Sequence, residues 1–172
     1  MPNSEKRTAL ITGGSSGIGF AIAEKLASNG IAVTIADIIA PIQQGLKCNF
    51  QYCDVSNGKD VDTLFKKMIL QLPDILILSA GKGIHERLTE GDPEKWASVL
   101  NLNIMGVLRC IRAFVPPMQD RKKGNVVFMS SVAAKQAYSY GGIYGASKTA
   151  IEIIKYFGSI VKYFGYVAIH FL

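Results

Sequence analysis

Tyr144-Gly145-Ala146-Ser147-Lys148 is the segment of this chain best equipped for proton chemistry, with Ser131 thirteen residues upstream. A Tyr and a Lys four residues apart share one face of a helix. A lysine ammonium beside a phenol favours the phenolate and lowers its pKa from an ordinary value near ~10. A phenol tuned in this way can give up and recover a proton near neutral pH. Tyr138 and Tyr140 lie in the same glycine-rich stretch, but only Tyr144 has a lysine at the fourth position onward. Such a pair arises often by chance, so its weight depends on what precedes it.

What precedes it is a glycine-rich turn, Thr12-Gly13-Gly14-Ser15-Ser16-Gly17-Ile18-Gly19. An apolar strand-like segment leads into it, and a helical pattern with Ile18, Ile22 and Leu26 on one face leaves it, stopping at Asn29-Gly30. Gly13 would let the chain turn sharply. Gly17 would let the backbone approach a pyrophosphate, and Gly19 would let the helix pack close to the sheet. Backbone N–H groups and the helix dipole would then attract phosphates. Asp37 closes the second strand-like run, eighteen residues after Gly19. That is close to the ~20 expected for an acid that binds an adenosine ribose. A carboxylate there accepts hydrogen bonds from the ribose diol and repels a 2′-phosphate. No Arg or Lys stands in the turn or beside Asp37. NAD is therefore expected as the cofactor, with NADP the less favoured alternative.

The elements that must position these groups can be read from apolar periodicity. Strands are expected at Thr8–Thr12, Ile31–Ala36, Phe50–Cys53, Ile75–Ser79, Asn125–Met129 and Tyr166–Leu172. They are short and largely apolar, as strands covered on both faces are. Amphipathic helices are expected between them. One puts Val61, Leu64, Phe65, Met68 and Ile69 on a single stripe and ends at Leu72-Pro73. Another starts at Asp92-Pro93, a capping residue followed by proline at the first helical position. Asn103 falls on the apolar stripe of this helix with Trp96, Val99, Leu100, Val107 and Ile111, and a buried amide there needs partners. Asn101 lies off the stripe and reads as structural. The alternation predicts an α/β fold, a doubly wound parallel sheet of about six strands, as one nucleotide-binding domain over residues 1–172.

Composition narrows the function classes. Of 172 residues, 49% are hydrophobic and 19% charged, the balance of a soluble globular chain. No unbroken apolar run reaches the ~18 residues that mark a membrane helix. The first seven residues hold no signal-peptide core. Cys48, Cys53 and Cys110 are odd in number and irregularly spaced, and with two histidines they do not form the ligand pattern of a zinc site. Free thiols suit a reducing cytoplasm. The net charge of +6 is scattered, and Arg121-Lys122-Lys123 reads as a solvated loop. No aromatic or basic motif for nucleic acid accompanies it. His85 reads as a surface residue, and Cys53 as core.

With these motifs in place the chain resembles the short-chain dehydrogenase/reductase family. The glycine spacing matches its T-G-x-x-x-G-x-G turn. Asp54-Val55 resembles its D-V step at the adenine. Leu78-Ser79-Ala80-Gly81 stands where the family has N-N-A-G, and Asn103 aligns with its helix asparagine. Gly124 to Ser131 resembles the fifth strand with its serine, and Tyr144 and Lys148 complete the set. The resemblance covers roughly Thr8 to Ile154. It implies Tyr144 as general acid/base and Lys148 as the group that lowers its pKa and holds the nicotinamide ribose. It implies Ser131, rather than Ser130, at the substrate oxygen, and Asn103 in a water relay. Cofactor contacts are implied for Gly13, Ser15, Ser16, Gly17, Ile18, Gly19, Asp37, Asp54, Val55, Ala80 and Gly81, with Tyr144 and Lys148. Hydride transfer with a small-molecule secondary alcohol or ketone is expected, in a homodimer or homotetramer built on the helices of Asn103 and Tyr144.

Two departures bear on this. Ser79 replaces an asparagine that braces the family's central sheet. The sequence stops at Leu172, before the Pro-Gly turn, substrate lid and seventh strand that family members carry. A nucleotide-binding scaffold, or a fragment of such an enzyme, is therefore the alternative expectation. Without that strand, Val167, Ile169 and Phe171 would lie on an edge prone to self-association. Lys155–Gly165 is also unusually rich in aromatic residues and glycine for the helix expected there.

Overall fold

The inner strands of this chain are largely apolar on both faces, and the computed structural model shows why. It describes residues 6–42, 45–158 and 165–171, with residues 157–158 and the final strand described as backbone only. Six strands form one parallel sheet: β1 (Thr8–Thr12), β2 (Ala32–Asp37), β3 (Cys48–Tyr52), β4 (Ile75–Leu78), β5 (Asn125–Ser131) and β6 (Gly165–Phe171). Their order is β3-β2-β1-β4-β5-β6. Alternate side chains of one strand point to opposite faces. Leu10, Leu76, Leu78, Val126 and Phe128 pack on one side, while Ala9, Ile11, Ile35, Ile75 and Ile77 pack on the other.

Helices cover both layers. α1 (Gly17–Ser28) closes the second side through Ala23. α2 (Gly58–Met68), α4 (Gly106–Asp120) and α5 (Gly142–Ile154) close the first through Val61, Leu64, Phe114, Met118 and Ile151. Phe65 meets Phe114 edge-on, with ring centroids 5.5 Å apart. α1 stops as expected, with Gly30 at φ +80°, a conformation that glycine adopts without a side-chain clash.

The helix from Asp92-Pro93 begins as expected. The Asp92 side chain accepts from the Glu94 N–H, and α3 runs over Pro93–Leu100. A π-helical turn, Asn101–Met105, then joins α3 to α4. Sequence periodicity gave no warning of it, because one wide turn displaces the apolar stripe only locally. α4 runs on through Pro116 and Pro117. The burial of Phe114, Val115 and Met118 outweighs the helical hydrogen bonds that two prolines cannot make. By length and composition alone, Pro93–Asp120 could cross a membrane. Arg109 and Arg112 interrupt its apolar run, and Val107, Cys110, Phe114 and Met118 are buried in the core.

Other expectations shift. α2 ends at Met68, so Ile69 leaves the stripe and is exposed. β3 ends at Tyr52, one residue before Cys53, and β5 extends to Ser131. Between β2 and β3 the described residues 38–42 and 45–47 carry no helix, unlike the other crossovers. Lys155–Gly158 forms a 3₁₀ turn, while Tyr163, Phe164 and Leu172 lie outside the described residues.

Candidate active site

The chain builds outward from β1 to β3 and then returns to place β4 on the other side of β1. Helices and loops on the two sides diverge at that reversal, leaving a crevice beyond the carboxyl ends of the strands. A cleft of about 700 Å³ lies there. Gly13, Ser16, Gly17, Ile18, Gly19, Asp37, Asp54, Val55, Ala80, Gly81, Ser131, Tyr144 and Lys148 all line it. Of the catalytic and cofactor residues expected from sequence, only Ser15 and Asn103 do not.

At one end is the glycine turn. Gly13 has φ +64°, and a Cβ there would lie 2.6 Å from the Ala80 Cα. The turn therefore touches the backbone that leaves β4. A Cβ on Gly19 would overlap the Gly13 carbonyl oxygen. Around the missing Cβ of Gly17, at φ +53°, no atom of the described residues lies within 4 Å apart from its own chain neighbours and the adjoining helix backbone. Glycine is thus required for packing at Gly13 and Gly19, but leaves open space at Gly17. Thr12 ties the turn to β4: its Oγ1 accepts from the Ser79 N–H (3.2 Å) and the Ala80 N–H (3.3 Å). Sequence reasoning missed this role, although a threonine at the end of a strand is a usable signal.

Asp37 is held in place. Its carboxylate accepts from the Ser15 N–H (3.0 Å) and the Ile38 N–H (2.7 Å). Asp54 Oδ1 accepts from the Ser56 N–H (2.8 Å), which shapes the turn after β3. Cys53 beside it is buried, and burial, with Asp60 and Asp54 adding to it, pushes its thiol up to about 12. It is core, as the sequence suggested.

At the other end α5 delivers Tyr144 and Lys148. The Lys148 Nζ donates to the Met129 carbonyl (2.8 Å) and sits 5.7 Å from the centre of the Tyr144 ring. Burial pulls its pKa below the ordinary lysine value. Ser131 is buried at the end of β5, and its Oγ accepts from the Ala133 N–H (3.2 Å). The helix face predicted from spacing therefore does join Tyr144, Lys148 and Ser131 in one cleft.

Asn103 lies behind this group. Its Oδ1 accepts from the Lys82 N–H (2.9 Å), and its Nδ2 donates to the Lys82 carbonyl (3.0 Å) and to Ser147 Oγ (3.0 Å). Ser147 in turn donates to the Tyr144 carbonyl (2.7 Å). The π-helical turn is thus bolted to α5 and to the loop that follows β4. Ser147 was not singled out from sequence, although a buried serine between Tyr144 and Lys148 was in view. Asn101 is structural, as expected: its Nδ2 donates to the Ser56 carbonyl and its Oδ1 accepts from Arg109. His85 is exposed, with its ring 5.1 Å from that of Tyr138.

These residues fit a dinucleotide. The Gly17 cradle is open, and the Oγ of Ser130, which lines the cleft, is buried with no hydrogen-bond partner among the described residues. Polar atoms left in that state ask for a ligand. Among the described residues no cluster of three or more His, Cys, Asp or Glu could hold a metal ion.

A family model described as short chain dehydrogenase matches residues 7–155. The chain is 31% identical over 166 residues to an uncharacterised oxidoreductase of Staphylococcus saprophyticus, covering 90% of this chain and 71% of that relative. Its fold superimposes on a short-chain dehydrogenase of Streptomyces avermitilis with a TM-score of 0.89 at 25% identity. That match covers 96% of this chain and 64% of the solved one, so the chain spans less than two thirds of that structure. An alcohol dehydrogenase of the archaeon Thermococcus sibiricus, solved with 5-hydroxy-NADP, matches with a TM-score of 0.85 at 26% identity, over 95% of this chain and 75% of that one.

Proposed function

Because the chain belongs to the short-chain dehydrogenase family, we propose that it binds NAD(H) and moves a hydride between that cofactor and a secondary alcohol or ketone. The observation that carries this reading is one cleft holding an aspartate fixed by the glycine turn at one end and Tyr144, Lys148 and Ser131 at the other. The nicotinamide supplies the carbon that gives or takes the hydride. The protein handles the proton and the geometry. Tyr144 takes the hydroxyl proton during oxidation and returns it during reduction. Lys148, buried and close to the ring, favours the phenolate and holds the ribose hydroxyls. Ser131 donates to the substrate oxygen as charge develops there. Asn103 supports a water relay to Lys148, since Gly81 is flanked by both side chains.

The preference for NAD rests on Asp37. Its carboxylate is held by two backbone N–H groups, and its charge would repel a 2′-phosphate. Residues 1–172 form a single nucleotide-binding domain in this reading. Three free thiols, two of them buried, support a reducing cytoplasmic setting.

Titration with NADH and with NADPH, followed by cofactor fluorescence, tests the reading. NADH should bind more tightly, and Asp37→Ala should weaken NADH and reduce the discrimination. Tyr144→Phe should keep NADH affinity while lowering turnover by about 10²–10⁴-fold. NADH binding without turnover on any alcohol or ketone would favour a nucleotide-binding scaffold. Equal NADH and NADPH affinity in the wild type would overturn the role given to Asp37.

A further inference from the structure

The glycine turn offers a pyrophosphate backbone dipoles and serine hydroxyls but no charge, since it carries no basic side chain. Two cations line the cleft, Lys82 and Lys148. Lys148 is committed to the Met129 carbonyl at the catalytic end. Lys82 is different. It is exposed, and among the described residues the partner of its Nζ is the neutral Ser98 hydroxyl, at 3.1 Å. Ser98 also lines the cleft. The ammonium is therefore held at the cleft without a carboxylate to neutralise it.

Its backbone is unusually well fixed for a loop residue. Asn103 binds both the Lys82 N–H and the Lys82 carbonyl, and Asn103 is buried. Two residues earlier, Ala80 touches the glycine turn at Gly13 and is tied to Thr12. A short rigid segment thus runs from the phosphate-binding turn to a lysine whose main chain is clamped and whose head is free to leave Ser98. A pyrophosphate is the dianionic part of the ligand that the turn is shaped to receive.

We propose that Lys82 is a cofactor-binding residue: its ammonium leaves Ser98 and pairs with the pyrophosphate of the bound dinucleotide. This rests on the dinucleotide reading above. Asn103 is then a positioning residue for that contact as well as a brace for the catalytic helix. Calorimetric titration of the full chain with ADP-ribose and with adenosine, at low and high salt, tests the assignment without any turnover. Lys82→Met should bind ADP-ribose about fivefold more weakly at low salt, as befits a partly screened ion pair. Its salt dependence should be shallower, because one phosphate contact is gone. Adenosine affinity should not change, and Lys82→Arg should restore ADP-ribose binding. Unchanged ADP-ribose affinity in Lys82→Met would overturn the proposal, and so would equal weakening of adenosine, which would mark a structural role. Failure of the wild type to bind ADP-ribose would remove the dinucleotide reading itself.

Discussion

Two glycines of one turn are needed for different reasons, and substitution separates them. Gly19 has a helical backbone but no room, because a methyl group would overlap the Gly13 carbonyl. Gly17 has room but a left-handed backbone at φ +53°. Gly19→Ala must push the helix off the turn, a cost of about 1–3 kcal/mol for an overpacked site. Gly17→Ala pays about 1–2 kcal/mol for the φ, and its methyl group projects into the space that the phosphates would use. Urea midpoints and NADH affinities, measured together, should show both variants destabilised and binding impaired beyond the stability loss in Gly17→Ala. Normal NADH affinity in Gly17→Ala would mean that the turn does not cradle phosphate.

The strands are clamped at the end opposite the cleft. Asp74 precedes β4, and its Oδ2 accepts from the Thr8 N–H at the start of β1 (2.9 Å). Its Oδ1 lies 3.2 Å from the Lys123 ammonium and 3.7 Å from the Arg121 guanidinium, just before β5. Arg121 also donates to the Leu72 and Pro73 carbonyls. Burial opposes ionisation of Asp74, but the Thr8 N–H and the Lys123 and Arg121 charges outweigh it and hold the carboxyl below its ordinary 3.8. A carboxyl with a lowered folded pKa stabilises the fold fully above the unfolded value. That contribution is lost as pH falls through 3.8 towards the lower folded value. The urea midpoint of the wild type should therefore drop in that acid window. Asp74→Asn should be less stable at neutral pH and should lose this part of the acid dependence. An identical acid profile in both proteins would show that the clamp carries none of it.

At the scale of the molecule, apolar surface remains outside the core. Met105 and Leu108 are exposed along the helix that carries Asn103, and Ile153 and Tyr156 at the end of the helix that carries Tyr144. β6 and β3 are the outer strands of the described sheet. Such surface favours self-association. Sedimentation of the purified 172-residue polypeptide should show a dimer or tetramer, and Leu108→Glu combined with Ile153→Glu should shift it towards monomer. A monomer at every concentration would overturn the homodimer or homotetramer expected from the sequence. An unchanged assembly in the double variant would move the interface away from these helices.

What could be read from sequence was local. Apolar runs marked β1 residue for residue, Asp92-Pro93 marked the start of α3, and Gly30 marked the end of α1. Each of these is decided by the backbone and neighbours of a few residues. The glycine spacing and the Tyr144–Lys148 spacing were legible for the same reason, since a turn and a helix face are short-range geometries. The tertiary structure decided what depends on distant partners. Asn103 meets Lys82 and Ser147 across 21 and 44 residues of chain, and those bonds accompany a π-helical turn that no periodicity reports. Packing carried α4 through two prolines. The Ser98 contact of Lys82, which put an unneutralised cation at the cleft, likewise joins two elements that only the folded chain brings together.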